Sequence, residues 1–182
     1  LESLELMGWC LCDDNSAMWC RALSFLRTNK ALKSLMVTFD KDATKSCFNA
    51  LCRHIAAMLQ DNASLESLTI RKDGYTNKII ADEYFSLVTT LQHNTTLKKL
   101  ELNYQRMLPL SDDEDKHMAQ ILKKNYALES LPNICKVSSD VDAILRLNAS
   151  GRRYLIEDGY SVSKGVTLLI AMRSDFNRNE SL

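Results

Sequence analysis

Apolar residues recur along this chain at a fixed spacing, L-x-x-N-x-x-L-x-x-L-x-L. The pattern runs through Leu26, Asn29, Leu32, Leu35 and Val37, then through Leu59, Asn62, Leu65, Leu68 and Ile70, and a third time through Leu91, Asn94, Leu97, Leu100 and Leu102. A fourth copy, Leu122, Asn125, Leu128 and Leu131, ends at Asn133 where an apolar residue is due, and the chain opens on a partial copy, Leu1, Leu4 and Leu6. The anchor leucines stand at 1, 32, 65, 97 and 128, so successive units are 31, 33, 32 and 31 residues long. A period of this length marks an array of strand–helix units, none of which can bury its own apolar face alone.

Each unit is legible from its spacing. The apolar residues three and five places beyond each anchor share one face of a short strand, because strand side chains alternate. A helix-period stretch occupies the rest of each unit. The first places Met18, Trp19, Ala22, Leu23, Phe25 and Leu26 on a core face, the second Phe48, Leu51, Ile55, Met58 and Leu59, and the third Ile80, Tyr84, Leu87, Val88 and Leu91. The fourth opens on a Ser111/Glu114 capping box. Its acidic run Asp112, Asp113, Glu114 and Asp115 sits at the positive end of the helix, with Lys123 and Lys124 at the negative end. Strand, helix and parallel strand form a right-handed crossover. Strands pack about 4.8 Å apart and helices about 10 Å apart, so a stack of such units curves with its strands inside. The asparagine of each unit falls where the helix ends and the strand begins. It tolerates unusual backbone and can satisfy carbonyls and amides there, so it reads as structural.

On these residues the sequence resembles leucine-rich repeat proteins of the ribonuclease-inhibitor-like class, over roughly residues 1–134. A full helix in every unit is the mark of that class; the somewhat long units and the Pro132-Asn133 break depart from it. The resemblance implies an α/β fold, a curved solenoid with parallel strands inside and helices outside. It leaves the role open, since such arrays serve many functions. Beginning inside a unit at Leu1, without Met, the sequence reads as a piece of something longer. After Asn133 the repeat stops. Residues 138–158 read as a helix carrying Val141, Ile144, Leu145 and Leu147, then Arg152, Arg153, Tyr154 and Leu155, with Gly151 ending or bending it. A second helix opens near Ser161 or Ser163, with Val166, Leu169, Ile170 and Phe176 on one face. An open array needs its end covered. The chain therefore divides into a repeat array over 1–134 and a helical C-terminal cap over 135–182.

Composition adds exclusions. With 182 residues, 46% hydrophobic and 25% charged, the chain can bury a substantial core. Its 23 basic and 23 acidic side chains balance, which argues against a wholly basic nucleic-acid binder. The longest apolar stretch, Val166 to Met172, is too short to span a membrane, and no signal peptide is visible. The cysteines, Cys10, Cys12, Cys20, Cys47, Cys52 and Cys135, lack any C-x-x-C pair and read as buried reduced thiols, which places the protein in the cytoplasm or nucleus. His54, His93 and His117 are scattered, and no phosphate-cradling glycine loop occurs. Neither a catalytic centre, a metal, a cofactor nor a small-molecule substrate is expected. The four N-x-S/T sequons, at Asn62, Asn94, Asn148 and Asn179, are discounted for the same compartmental reason.

Function is expected on the strand face that carries no core leucine. Its register columns are Ser3, Ser34, Ser67, Lys99 and Ser130; Glu5, Met36, Thr69, Glu101 and Pro132; and Met7, Thr38, Arg71 and Asn103. There is no basic stripe and no aromatic ladder for nucleic acid. The column after the anchors, Glu2, Lys33, Glu66, Lys98 and Glu129, alternates in sign and supports the register through cross-strand pairs. Trp9, Phe39 and Tyr104, placed in the loops after the strands, are the better candidates for partner anchors, although buried packing is the commoner fate of each such residue. The reading is a non-enzymatic protein-binding module. Its partner-binding residues are Ser34, Met36, Ser67, Thr69, Arg71, Lys99, Glu101 and Asn103, with the adjoining loops. The alternative is a GTPase-regulating array using Arg71, Asn103 and Arg106, as some members of the resembled class do. A substrate-recognition part of a larger ligase or sensor is a third reading.

Overall fold

The computed structural model describes residues 2–8, 16–39, 45–72, 87–103, 112–131 and 138–151. In chain order the elements are β1 (Ser3–Gly8), α1 (Ser16–Thr28), β2 (Ser34–Phe39), α2 (Lys45–Asp61), β3 (Ser67–Lys72), α3 (described over 87–91), β4 (Lys99–Asn103), α4 (Asp112–Lys124) and α5 (Ser139–Ala149). The strands form one parallel sheet in the order β1-β2-β3-β4. The register is the one the repeat dictates: Leu4, Leu35, Leu68 and Leu100 stand in one row, and Leu6, Val37, Ile70 and Leu102 in the next. Leu35, Leu68 and Leu100 expose no surface, while Leu4 and Leu6 on the edge strand are partly buried. The helix residues Leu51, Ile55, Met58, Leu59, Leu87, Val88 and Leu91 join the same core, as the 3.6-residue period requires.

The recurrent asparagine locks one unit to the next. In each of the four copies its Oδ1 accepts the amides two and three residues on. Asn94 takes Thr96 N at 3.1 Å and Leu97 N at 2.8 Å; Asn125 takes Ala127 N at 3.0 Å and Leu128 N at 2.7 Å. Its Nδ2 reaches back to the unit before. Asn62 donates to Leu26 O (2.6 Å) and Asn29 O (3.3 Å), Asn94 to Leu59 O (2.8 Å) and Asn62 O (3.2 Å), and Asn125 to Leu91 O (2.6 Å) and Asn94 O (2.7 Å). Leu26, Leu59 and Leu91 lie at the ends of their helices, where carbonyls have no partner inside the helix. A donor from the next unit therefore meets Leu59 O, and adds a second donor to Leu26 O and Leu91 O, which also accept Asn29 N at 3.3 Å and Asn94 N at 3.1 Å. Asn62, Asn94 and Asn125 are buried accordingly.

A fifth rung comes from outside the repeat. Asn148, near the end of α5, donates to Asn125 O at 3.0 Å and Leu128 O at 2.8 Å. α5 starts at an N-cap: Ser138 accepts Val141 N, with Asp140 and Asp142 in the first turn. It ends at Ala149, and Gly151 just beyond has a φ of 89° that only glycine adopts readily, so the glycine interrupts the helix as its position suggested; residues 152–158 of the expected helix lie outside the described residues. Val141, Ile144 and Leu145 are buried in the shared core, and Ser138 N donates to Asp115 Oδ1 at 3.1 Å, giving part of the acidic run a structural task. The second expected helix, from Ser161 onward, lies outside the described residues.

Two expectations about apolar residues are corrected. Phe25, assigned to the core face of the first helix, is 77% exposed, because its side of α1 faces no other unit. Phe39 is the last residue of β2, not part of a loop, and is 3% exposed, so it is core and no partner anchor. Trp9 and Tyr104 lie outside the described residues. The fourth copy forms a single bridge, Lys99 to Ser130, with Leu131 buried beyond it. Of the six cysteines only Cys52 has a described side chain; it is buried and reduced, as a small apolar residue would be.

The rungs make a graded prediction. Asn94→Ala removes four hydrogen bonds to backbone groups and a longer one from Thr96 Oγ1, and at about 1 kcal/mol for each backbone bond it should cost about 4 kcal/mol in denaturant unfolding. Asn29→Ala loses only the two local bonds from Ala31 N and Leu32 N, the first exposed and the second part-buried, and should cost about 1 kcal/mol. Equal losses at the two positions would contradict the interlocking role.

Candidate partner-binding face

The sheet turns its leucine-free face outward, and the register sets that face's columns. Ser34, Ser67 and Lys99 are neighbours on consecutive strands, as are Met36, Thr69 and Glu101, and Arg71 pairs with Asn103. The candidate residues are thus brought together as one patch. Their surface differs. Lys99 and Arg71 are exposed and Ser34, Met36, Ser67 and Glu101 partly so, whereas Thr69 is 7% exposed, shadowed by the longer side chains on either side. Lys99 Nζ and Glu101 Oε2 meet at 2.8 Å along one strand, which makes the centre of the patch a charge pair instead of a cation beside an anion. Arg106 lies outside the described residues.

Beside this patch runs the alternating column. Glu66 Oε1 contacts Lys33 Nζ at 3.1 Å, and its Oε2 contacts Lys98 Nζ at 2.8 Å, so one carboxylate clasps a lysine on each neighbouring unit. These two ammonium groups, Lys98 before Lys33, hold the Glu66 carboxyl below its ordinary value. The backbone runs in step, since Glu2, Lys33, Glu66 and Lys98 each accept two amides of the next unit; Glu66 O takes Lys98 N at 2.8 Å and Lys99 N at 3.0 Å. On the helical side Arg27 Nε donates to Asp61 Oδ2 at 2.8 Å, with Nη2 on the same oxygen. That cation offsets an acid at the negative end of α2. The sequence reading missed this pair, although both residues stand just before their unit's asparagine. It also passed over Asn148 as a rung, because its distance from Asn125 breaks the period.

Among the described residues no group of three His, Cys, Asp or Glu side chains could hold a metal, and no helix is long and apolar enough to cross a membrane. Three of the four sequon asparagines, Asn62, Asn94 and Asn148, are buried with their side-chain nitrogens bonded to backbone carbonyls, so no surface nitrogen is offered for glycosylation.

No protein-family model matches the chain. No curated protein sequence matches it either. Solved structures do. Leiomodin-1 actin-binding site 2 superposes with a TM-score of 0.63 at 20% identity, over 86% of this chain and 86% of that one. The tropomodulin C-terminal domain of Caenorhabditis elegans superposes with a TM-score of 0.62 at 14% identity, over 87% of this chain and 90% of that one. At such identities the likeness is one of fold: the chain is a leucine-rich repeat array of alternating strands and helices with a parallel sheet.

The Glu66 clasp predicts a pH dependence. A carboxyl whose folded value is lowered adds stability above its unfolded value, and that stability is lost as pH falls through the folded one. Because the group is well exposed, the contribution is small, under about 1 kcal/mol, and screened by salt. Unfolding midpoints measured below and above the ordinary carboxylate range should therefore differ less in Glu66→Gln than in the unsubstituted chain, and the difference should shrink in 1 M salt.

Proposed function

We propose that this chain is a protein-binding module that takes its partner on the outward strand face, with α5 and the residues after it closing the C-terminal end of the array. The observation that supports the reading is the patch itself. Ser34, Ser67, Lys99, Met36, Glu101 and Arg71 are set side by side on hydrogen-bonded strands, with their side chains turned away from the core. A rigid backbone presenting serine, charged and thioether groups favours recognition of a folded surface, with little ordering to be done on binding.

Size bounds the claim. Four strands about 4.8 Å apart, each about five residues long at about 3.3 Å per residue, make a patch of roughly 15 by 17 Å. A stable interface covers about 800 Å² on each partner. The strands therefore supply only the centre of the interface, and the segments that follow them must supply its rim. The residues 73–86 and 104–111, after β3 and β4, are the natural source.

Actin is the first partner to test, because the fold is shared with a leiomodin-1 region whose own description is an actin-binding site. The sites proposed here would act through a cytoplasmic encounter without cofactor or metal. In sedimentation with filamentous actin, and in a titration of monomeric actin, the chain should bind saturably. A Lys99→Glu, Arg71→Glu variant with unchanged circular dichroism should bind at least about tenfold more weakly, since charged groups at an interface centre carry 2 kcal/mol or more. Binding that survives the double substitution would move the interaction off the strands. Absence of binding to both forms would remove actin as the partner.

A further inference from the structure

The N-terminal flank of the array is built like its internal junctions, but among the described residues nothing covers it. Phe25 lies four residues before Asn29. Its counterparts at the same place in the following units, Met58, Thr90 and Ile121, are 1%, 7% and 3% exposed, against 77% for Phe25. Asn29 is exposed where Asn62, Asn94 and Asn125 are buried. Its Oδ1 makes the two local bonds of every rung, yet among the described residues its Nδ2 meets no acceptor, whereas Nδ2 of each later rung meets two. Leu4 and Leu6 are only partly covered, and their counterparts on β2, β3 and β4 are buried. Glu2 is exposed at the head of a column in which Glu66 takes a lysine from each side. Every one of these differences points the same way along the stack.

The internal junctions say what would cover this flank. From these correspondences we infer that it is a docking surface for one further leucine-rich strand–helix unit, supplied by polypeptide outside these 182 residues. That unit lays a strand parallel to β1. It sets apolar helix side chains against Phe25 and presents the end carbonyls of its helix to Asn29 Nδ2. It also carries a lysine or arginine just before its strand, opposite Glu2. The surface concerns the end of the sheet, not the outward face, so it stands independently of the proposed partner.

A second copy of this chain fits poorly. Its C-terminal junction is already occupied by α5, with Asn148 on Asn125 O and Leu128 O. Edge-to-edge pairing about a two-fold axis would run the strands antiparallel. Asn29 would then face the amide-bearing start of the partner's helix, where there is no carbonyl to accept from it.

The test joins a designed leucine-rich unit of the same pattern ahead of the full chain, with lysine before its strand. In hydrogen exchange, the β1 amides that face away from β2 should slow at least about tenfold relative to the chain alone. The thermal midpoint should rise. Phe25→Asp should abolish both gains while leaving the midpoint of the chain alone unchanged, because Phe25 touches little there. Glutamate in place of the designed lysine should reduce the gains. Outward β1 amides that exchange as fast as before, or gains that survive Phe25→Asp, would overturn the inference. So would slowing of the same amides in the chain alone as its concentration rises, with a dimer in sedimentation velocity, since a second copy would then be the occupant.

Discussion

The structure depends on one recurring exchange of hydrogen bonds, the side-chain amide of an asparagine donating to the carbonyls at the end of the previous unit's helix. A helix that ends inside a protein leaves carbonyls without partners, and burying them unpaired costs about 1–3 kcal/mol each. Here Leu26 O, Leu59 O and Leu91 O are met by Asn62, Asn94 and Asn125, Leu26 O and Leu91 O also accepting the amides of Asn29 and Asn94. The same side chain's oxygen turns its own backbone into the next strand. One residue thus completes the unit behind it and starts the one ahead. The leucine rows supply most of the burial and exclude a one-residue slip, which would turn them off the core face; the asparagine's bonds to the unit before hold the same register, in which Leu35, Leu68 and Leu100 line up.

This arrangement makes the array directional. Each unit is a donor toward the N-terminal side and an acceptor toward the C-terminal side, so the two ends are chemically different. At the C-terminal end α5 lends Asn148 as a surrogate rung, with Ser138 and Asp115 tying its start to α4. The substitution is imperfect, for Asn148 Oδ1 is buried without a partner among the described residues, whereas repeat asparagines use that oxygen at least twice. A helix cannot both continue its own ladder and offer two successive amides to a side chain beneath it. The N-terminal end keeps the donor of Asn29, and the apolar ring of Phe25, facing outward. The outward sheet face is independent of both ends, and its columns are held in register by the paired backbones of β1 to β4.

The repeat was legible because its spacing encodes two periods at once, alternation in the strand and 3.6 in the helix, with a polar residue at a fixed place between them. Leu35, Val37, Ile55 and Leu59 could be placed in the core from the chain alone. The strand columns followed, since a parallel stack of equal units admits one register, and the alternation of Lys33, Glu66 and Lys98 could be read as pairing for the same reason. Phe25 could not be placed correctly, because helical periodicity says which side of α1 is apolar and not whether a neighbour stands against it. Asn148 was obscured by its irregular distance from Asn125, and Phe39 by lying two residues farther along β2 than the motif extends. The outward face was legible as a location only: Ser34, Met36, Ser67, Lys99 and Glu101 are ordinary surface residues whose meaning comes from being adjacent. The burial of Thr69 between longer neighbours is a property of the assembled sheet.

Exchange of the asparagine side-chain amide protons, followed by nuclear magnetic resonance, tests the central claim most directly. The account predicts that Nδ2 protons of Asn62, Asn94, Asn125 and Asn148 exchange only on the slow timescale of unfolding, while those of Asn29 exchange at the rate of an exposed amide. Rapid exchange at Asn62 and Asn94, in a chain whose backbone amides remain protected, would show that the units are held together without these bonds and would contradict it.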